Sequence, residues 1–185
     1  GDISAYIPTN VISITDGQIY LETELFNSGM RPAINVGLSV SRVGKSAQYK
    51  AMKKTSGALR LEIAQYRDLA VFTRFGAELD STSAAILKKG ETIMEIIKQK
   101  VNDDYSTAQE VILLLAAEKG VFSDKIGLSV NEQKYDLLEY FAKNEQNILD
   151  MINNGKDTDD IILEKIKEAF AGFTAWEEEN HAERR

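Results

Sequence analysis

The chain contains no cysteine, so it carries no disulfide, no thiolate metal site and no cysteine nucleophile. Its single histidine, His181, excludes any mechanism that needs two imidazoles from this chain. Proline is scarce, 2 of 185 residues, against a usual share of about 5%. That scarcity favours helix, because proline breaks helix interiors. Long apolar runs are missing too. The longest strongly apolar stretch is Val111–Ala117, whereas a membrane-spanning helix needs about 20 residues. The opening Gly1-Asp2-Ile3-Ser4 has neither the basic nor the apolar region of a secretory signal, so none is expected, and residue 1 is not Met. Positive charge is in deficit: 22 Lys and Arg against 29 Asp and Glu, a net charge of −7. Such a chain is a poor general partner for nucleic acid, and none is expected.

What is present is ordinary globular composition, 43% hydrophobic and 28% charged. A chain of this size buries roughly 70% of its unfolded surface, enough for a real core. The pattern divides into two unlike parts. Residues 1–45 read as strands and loops. Val11–Thr15 is β-branched, Asp16-Gly17 is a turn signal, and Gln18–Leu25 alternates polar and apolar. Ala33–Val40 is a third extended stretch, and both prolines, Pro8 and Pro32, fall in this part. Residues 46–176 read as mainly helical. Met52, Ser56, Leu59, Ile63, Tyr66, Ala70 and Thr73 share one helical face. Phe75-Gly76 should end that helix. Asp80 or Ser81 should start the next, with Gly90 interrupting it. Ser106-Thr107-Ala108-Gln109 and Ser129-Val130-Asn131-Glu132 have the spacing of capping boxes. The second opens a helix through Leu137, Phe141, Ile148 and Ile152, stopped by Asn153-Asn154-Gly155. Thr158 should cap a last helix carrying Ile162, Ile166, Ala169, Phe170 and Phe173. Residues 177–185 read as a frayed tail.

Chemistry-bearing motifs are few. Gly44-Lys45-Ser46 has the ending of a phosphate-binding loop, but the glycine that should precede it by five positions is Ser39. A loop-to-helix junction is the better reading. Between Glu24 and Glu62 there is no acidic residue, while Arg31, Arg42, Lys45, Lys50, Lys53, Lys54 and Arg60 fall there. This local positive field suits phosphates or an acidic partner. The lysines suit a solvated helix face. Arg42 is different: it follows an extended segment in a Ser-Arg-Val-Gly turn, where a planar guanidinium can be aimed. His181 reads as an exposed tail residue, no metal site is expected, and Asp103-Asp104 and Asp159-Asp160 read as loop and helix N-terminal charges. The Phe170, Phe173 and Trp176 stripe reads as core or interface.

Two long blocks go further. Gly1–Ile19 and Arg31–Gly44 resemble the alpha-subunit family of rotary F-type ATP synthases, with further likeness through Leu59-Arg60-Leu61 and Ala64-Gln65-Tyr66-Arg67 and faintly at Ala169–Phe173. The resemblance is strong over residues 1–76 and weak after about residue 100. It implies the last third of such a subunit. Residues 1–45 would be the closing strands of a phosphate-loop-type α/β nucleotide-binding domain. Residues 46–176 would be an all-α C-terminal helix bundle, so that the piece is mostly helical. The phosphate loop and magnesium ligands of the family would lie before Gly1.

The resemblance also implies roles. Arg42 matches the arginine that reaches into the catalytic site of a neighbouring beta subunit, an arginine finger acting in trans. Ser13 and Val40 match positions on that interface. Arg31, Pro32 and Gln99 match positions beside the base at alpha's own non-catalytic nucleotide. After Gln99 the chain departs from the family: Lys100–Tyr105 is an insertion, and a second base-contacting glutamine has no place. Implied with these are ATP or ADP with Mg²⁺ in the full subunit, beta subunits in an alpha3beta3 hexamer, and the gamma subunit of the central stalk. The implied location is peripheral to a membrane, on the cytoplasmic side in a bacterium or the matrix or stroma side in an organelle. The fragment alone should be inactive. A related hexameric rotary ATPase subunit and a stand-alone helical interaction module are the alternatives.

Overall fold

The computed structural model describes residues 1–74, 80–122, 128–155 and 157–181. They divide into two compact units, Gly1–Gln48 with Lys98–Asp103, and Tyr49–Ile97 with Asp104–Arg185.

The first unit departs from the expected run of strands. Helix α1 spans Tyr6–Ile14 and takes in the β-branched Val11–Ile14. β-propensity is a weak preference, readily overridden by context. Pro8 sits in the first turn, where its missing N–H has no helical partner to lose. Thr9 Oγ1 donates to Ala5 O at 2.8 Å and Ser13 Oγ to Asn10 O at 2.6 Å. Strand β1 is only Gly17–Gln18 and pairs antiparallel with β2, Val40–Ser41, in the register Gly17↔Ser41 and Gln18↔Val40. Gly17 has φ +153°, and a Cβ there would stand 2.3 Å from Val40 O, so the turn expected at Asp16-Gly17 demands glycine. The rest of Gln18–Leu25 gives one bridge, Leu21↔Ile34, and then helix α2, Thr23–Asn27. Ala33–Val40 is not a continuous strand because Asn35 turns it. The Asn35 side-chain oxygen accepts the N–H groups of Gly37 and Leu38, an Asx turn that replaces ladder hydrogen bonds.

Helix α3, Gly44–Ala47, is a single turn. Ser41 Oγ accepts the Gly44 N–H at 2.8 Å, so Gly44-Lys45-Ser46 is a junction with a local cap. Buried side chains are few in this unit, chiefly Met30 and Asn35.

Among its described residues the second unit consists of helices joined by short connections: α4 Lys50–Thr55, α5 Leu59–Arg74, α6 Ser81–Ile96, α7 Thr107–Lys119, α8 Val130–Asn144, α9 Gln146–Asn153 and α10 Asp160–Asn180. Helix α7 is its centre and packs on α4, α6, α8 and α9. Ala108, Val111, Ile112, Leu113, Leu115, Ala116 and Ala117 are all buried, as expected of a helix apolar on every side. Its start is the capping box of Ser106 and Gln109, and Gly120, at φ +68°, closes its end. Ser129 and Glu132 form the second box at the start of α8.

Several boundaries differ from expectation. Phe75-Gly76 lies outside the described residues. Gly90 does not interrupt α6 but lies inside it, buried against Tyr66: a Cβ there would stand 2.4–2.5 Å from the Tyr66 Cβ, Cγ and Cδ2 atoms. The helix expected to run from Ser129 to Asn153 breaks at Glu145, whose φ is −130°. Asp159, rather than Thr158, caps α10 by accepting the Ile162 N–H at 2.9 Å. Thr158 is buried instead, and its carbonyl accepts Lys54 Nζ at 2.9 Å. The fraying expected from residue 177 does not begin there, since α10 continues to Asn180 and Glu177 is buried; residues 182–185 of that tail lie outside the described residues.

Candidate functional site

The residues singled out from the sequence fall into two places in the first unit. Arg42 follows directly on β2. Its N–H donates to Asp16 O at 2.9 Å, just past the β1–β2 ladder. With Ser41 Oγ holding the Gly44 N–H on its other side, the backbone of Arg42 is pinned in both directions. The guanidinium is free of that scaffold. Arg42 is exposed, and among the described residues it makes no ion pair with a carboxylate. Val40, 42% exposed, lies two residues before it opposite Gln18, whose Nε2 donates to Leu38 O at 3.1 Å. Ser13 is exposed in the last turn of α1, three residues before the Asp16 carbonyl that holds Arg42. The chain thus presents a fixed backbone, an unpaired cation and small or apolar neighbours.

Arg31, Pro32 and Gln99 form the second place. The Gln99 N–H donates to Arg31 O at 2.9 Å, which brings residues distant in sequence side by side. The Arg31–Pro32 peptide is cis. The Arg31 guanidinium carbon stands 4.3 Å from the centroid of the Phe26 ring, a cation–π contact that orients its plane. Just beyond, Asp103 Oδ2 accepts the Lys100 N–H at 3.1 Å, so the loop after Gln99 is closed by its own carboxylate.

In the second unit the structure assembles polar groups that sequence reasoning missed. Lys134 is fully buried in α8; its Nζ donates to Ile96 O at 3.1 Å, at the end of α6. The same ammonium lies 4.8 Å from the Tyr105 ring centroid and 5.7 Å from that of Tyr135. It thereby occupies one of the carbonyls that a helix C-terminus leaves open. On α10, Glu177 is 1% exposed, and among the described residues its Oε1 has no hydrogen-bond partner. Burial first, then the charges of Asp136 and Glu178, push its carboxyl up to about 7. His181 is not an exposed tail residue. Its side chain is 14% exposed, with Nε2 3.1 Å from Asp136 Oδ2 and the ring edge-on to Trp176. A signal for Glu177 did exist: Phe170, Phe173 and Glu177 continue the apolar stripe of α10 at i+3 and i+4 spacing.

Among the described residues, no cluster of three or more His, Asp or Glu side chains could hold a metal ion, and no helix is long and apolar enough to cross a membrane.

Comparison with known proteins points in one direction. The family model described as ATP synthase alpha/beta chain, C terminal domain, matches residues 48–173. The model described as ATP synthase alpha/beta family, nucleotide-binding domain, matches residues 1–41. The chain is 49% identical to the ATP synthase subunit alpha of Christiangramia forsetii over 162 residues, covering 88% of this chain and 31% of that protein. It is 49% identical to the subunit alpha of Acidothermus cellulolyticus over 172 residues, 93% of this chain and 31% of the relative. For the subunit alpha of Flavobacterium johnsoniae the figures are 48% over 175 residues, 95% and 33%. The chain therefore spans about a third of the length of the relatives it matches.

Proposed function

The chain belongs to the ATP synthase alpha/beta family, and from that premise we propose that it is the C-terminal third of a non-catalytic alpha subunit that lends Arg42 to a catalytic site on an adjacent beta subunit. The observation that carries this is Arg42 itself, an exposed guanidinium with no carboxylate partner among the described residues, on a backbone held by Asp16 and Ser41. An arginine that served only to hold its turn would be expected to pair locally. This turn is held by main-chain and hydroxyl groups alone.

The chemistry follows from charge. In phosphoryl transfer between ATP and water, in either direction, negative charge spreads over the transferring group's oxygens. A fixed cation stabilises developing charge more than ground-state charge, because its orientation is already set. Arginine adds a planar fork of donors that lysine lacks. Ser13 and Val40 would line the subunit interface around it. Arg31, Pro32 and Gln99 would flank the base of alpha's own non-catalytic nucleotide, and the adjacency of Gln99 to Arg31 supports that pairing. The residues present fit the margin of a nucleotide site. As the family resemblance implies, ATP or ADP with Mg²⁺ would be held mainly by the rest of the subunit.

The exposed apolar side chains of the first unit, including Tyr6, Ile7, Ile14, Ile19 and Leu21, support a larger setting. In the family setting, the partners would be beta subunits of an alpha3beta3 hexamer and the gamma subunit of a central stalk. The assembly would be peripheral to a membrane and coupled to ion transport through its other subunits, on the cytoplasmic side in a bacterium or the matrix or stroma side in an organelle.

The test is turnover of assembled complexes carrying Arg42→Ala or Arg42→Lys. Fingers of this type contribute about 10³–10⁵ in rate, so Arg42→Ala should lose turnover on that order. Arg42→Lys should lose at least about 100-fold in kcat, with nucleotide affinity far less changed, because charge is kept but the fork is lost. A complex that assembles normally and turns over within a few-fold of wild type would exclude the finger role.

A further inference from the structure

We propose that Glu177, Asp136 and His181 form a pH-responsive latch that holds the last turns of α10 on α8 and releases them as the medium becomes alkaline. This does not depend on the role of Arg42. It rests on an arrangement in the second unit for which the nucleotide site has no use.

The geometry is that of a closed polar cluster at the end of a helix. Glu177 is 1% exposed, and its Oε1 is buried with no hydrogen-bond partner among the described residues. One turn on, His181 closes the end of α10: its N–H donates to Glu177 O at 3.1 Å, and its Nε2 meets Asp136 Oδ2 of α8 at 3.1 Å. Trp176 adjoins the cluster, its ring centroid 6.3 Å from that of His181, 5.9 Å from that of Tyr140 and 6.1 Å from that of Phe173, with which it is stacked.

The charges acting on the Glu177 carboxyl are those of Asp136, from α8, and of its own neighbour Glu178, both negative. Helix α9, which also packs on α10, contributes none of the charges acting on it. The titratable phenol of Tyr140, on α8, lies against the Trp176 ring and is itself pushed up by burial and then by Glu145.

A neutral Glu177 is compatible with this burial. An ionised one is disfavoured there, since it places a buried carboxylate beside two others. The released state solvates it by moving the last turns of α10 into water, which also separates His181 from Asp136. Such opening is a local equilibrium at a helix end, where few contacts must be broken. The proton linkage fixes the direction. A carboxyl that titrates near 7 when buried, against 4.5 as the ordinary value, makes opening about tenfold more favourable at pH 8 than at pH 6.

The test is hydrogen exchange followed by mass spectrometry on the intact protein, reading peptides that cover residues 174–181. Rates are corrected for the intrinsic pH dependence of amide exchange. Protection should fall about tenfold between pH 6 and pH 8 in the wild type. It should stay level in Glu177→Gln, which keeps the shape but cannot ionise. Glu177→Leu is the second variant, without a buried amide to satisfy, and should also stay level. Trp176 is the chain's sole tryptophan. In the isolated chain its emission should move to longer wavelength over the same pH interval in the wild type and in neither variant. Wild-type protection that is independent of pH, or variants that lose it as the wild type does, would overturn the latch.

Discussion

Replacing Gly90 by alanine sets two effects of comparable size against each other, and the structure decides which wins. Gly90 lies in the interior of α6, where alanine ordinarily stabilises a helix by about 1 kcal/mol. The added methyl would stand 2.4 Å from Tyr66 Cβ and 2.5 Å from its Cγ and Cδ2. Carbon atoms pack at about 3.5–4.0 Å, so α5 and α6 would have to part by more than 1 Å or Tyr66 would have to leave its rotamer. Neither relief is cheap, because the near atoms belong to the root of the side chain and not its flexible end. Overpacking of this kind costs about 1–3 kcal/mol, and a clash this close belongs at the upper end. The net effect should be destabilisation by about 1–2 kcal/mol. For a chain of this size that lowers Tm by roughly 2–8 °C. The assay is urea and thermal unfolding of wild type, Gly90→Ala, Tyr66→Gly and the double variant. In the double variant the Cβ, Cγ and Cδ2 atoms that the methyl would strike are all gone, so Gly90→Ala should become neutral or stabilising there, a coupling above about 1 kcal/mol. A Gly90→Ala protein as stable as wild type, with no coupling to Tyr66, would refute the close approach of the two helices.

Three further outcomes follow from the same structure. The purified chain should hydrolyse no ATP, since Gly44-Lys45-Ser46 forms a one-turn helix rather than a phosphate cradle; magnesium-dependent turnover lost on Lys45→Ala would contradict this and the family reading together. Lys134→Ala should cost about 2–4 kcal/mol in urea unfolding, from the vacated volume and the stranded Ile96 carbonyl, and a cost below about 0.5 kcal/mol would show that the ammonium holds nothing. Global stability should also carry the mark of Glu177. The folded protein holds a proton there that the unfolded chain releases, so this group's contribution declines as pH rises from 4.5 to about 7 and is level above. The difference in unfolding free energy between wild type and Glu177→Gln should shift by about 3 kcal/mol across that range, and a difference independent of pH would exclude the buried protonated carboxyl.

The sequence by itself determined what depends on near neighbours or on long specific strings. Both capping boxes were legible because Ser106 with Gln109, and Ser129 with Glu132, bond three residues apart. Helix α7 was legible because Val111–Ala117 is apolar on every side. The family was legible in Gly1–Ile19 and Arg31–Gly44, and with it the roles proposed for Arg42, Ser13, Val40, Arg31, Pro32 and Gln99. Spacing alone marked out only Arg42. Tertiary structure decided what depends on partners far along the chain. Val11–Ile14 became helix because propensity yields to context, and Ala33–Val40 was bent because the Asn35 side chain took the hydrogen bonds a strand would have used. Gly90 looked like a break and proved a contact, since only the approach of Tyr66 reveals why a side chain is missing there. The proximity of Gln99 to Arg31 is seen in a backbone hydrogen bond between residues far apart in sequence. His181 read as an exposed tail residue and Glu177 as part of a frayed tail, and nothing in the pattern marked Lys134. Their burial is set by Ile96, Asp136 and the Trp176 ring, and residue identity does not encode which distant surface will close over a charge.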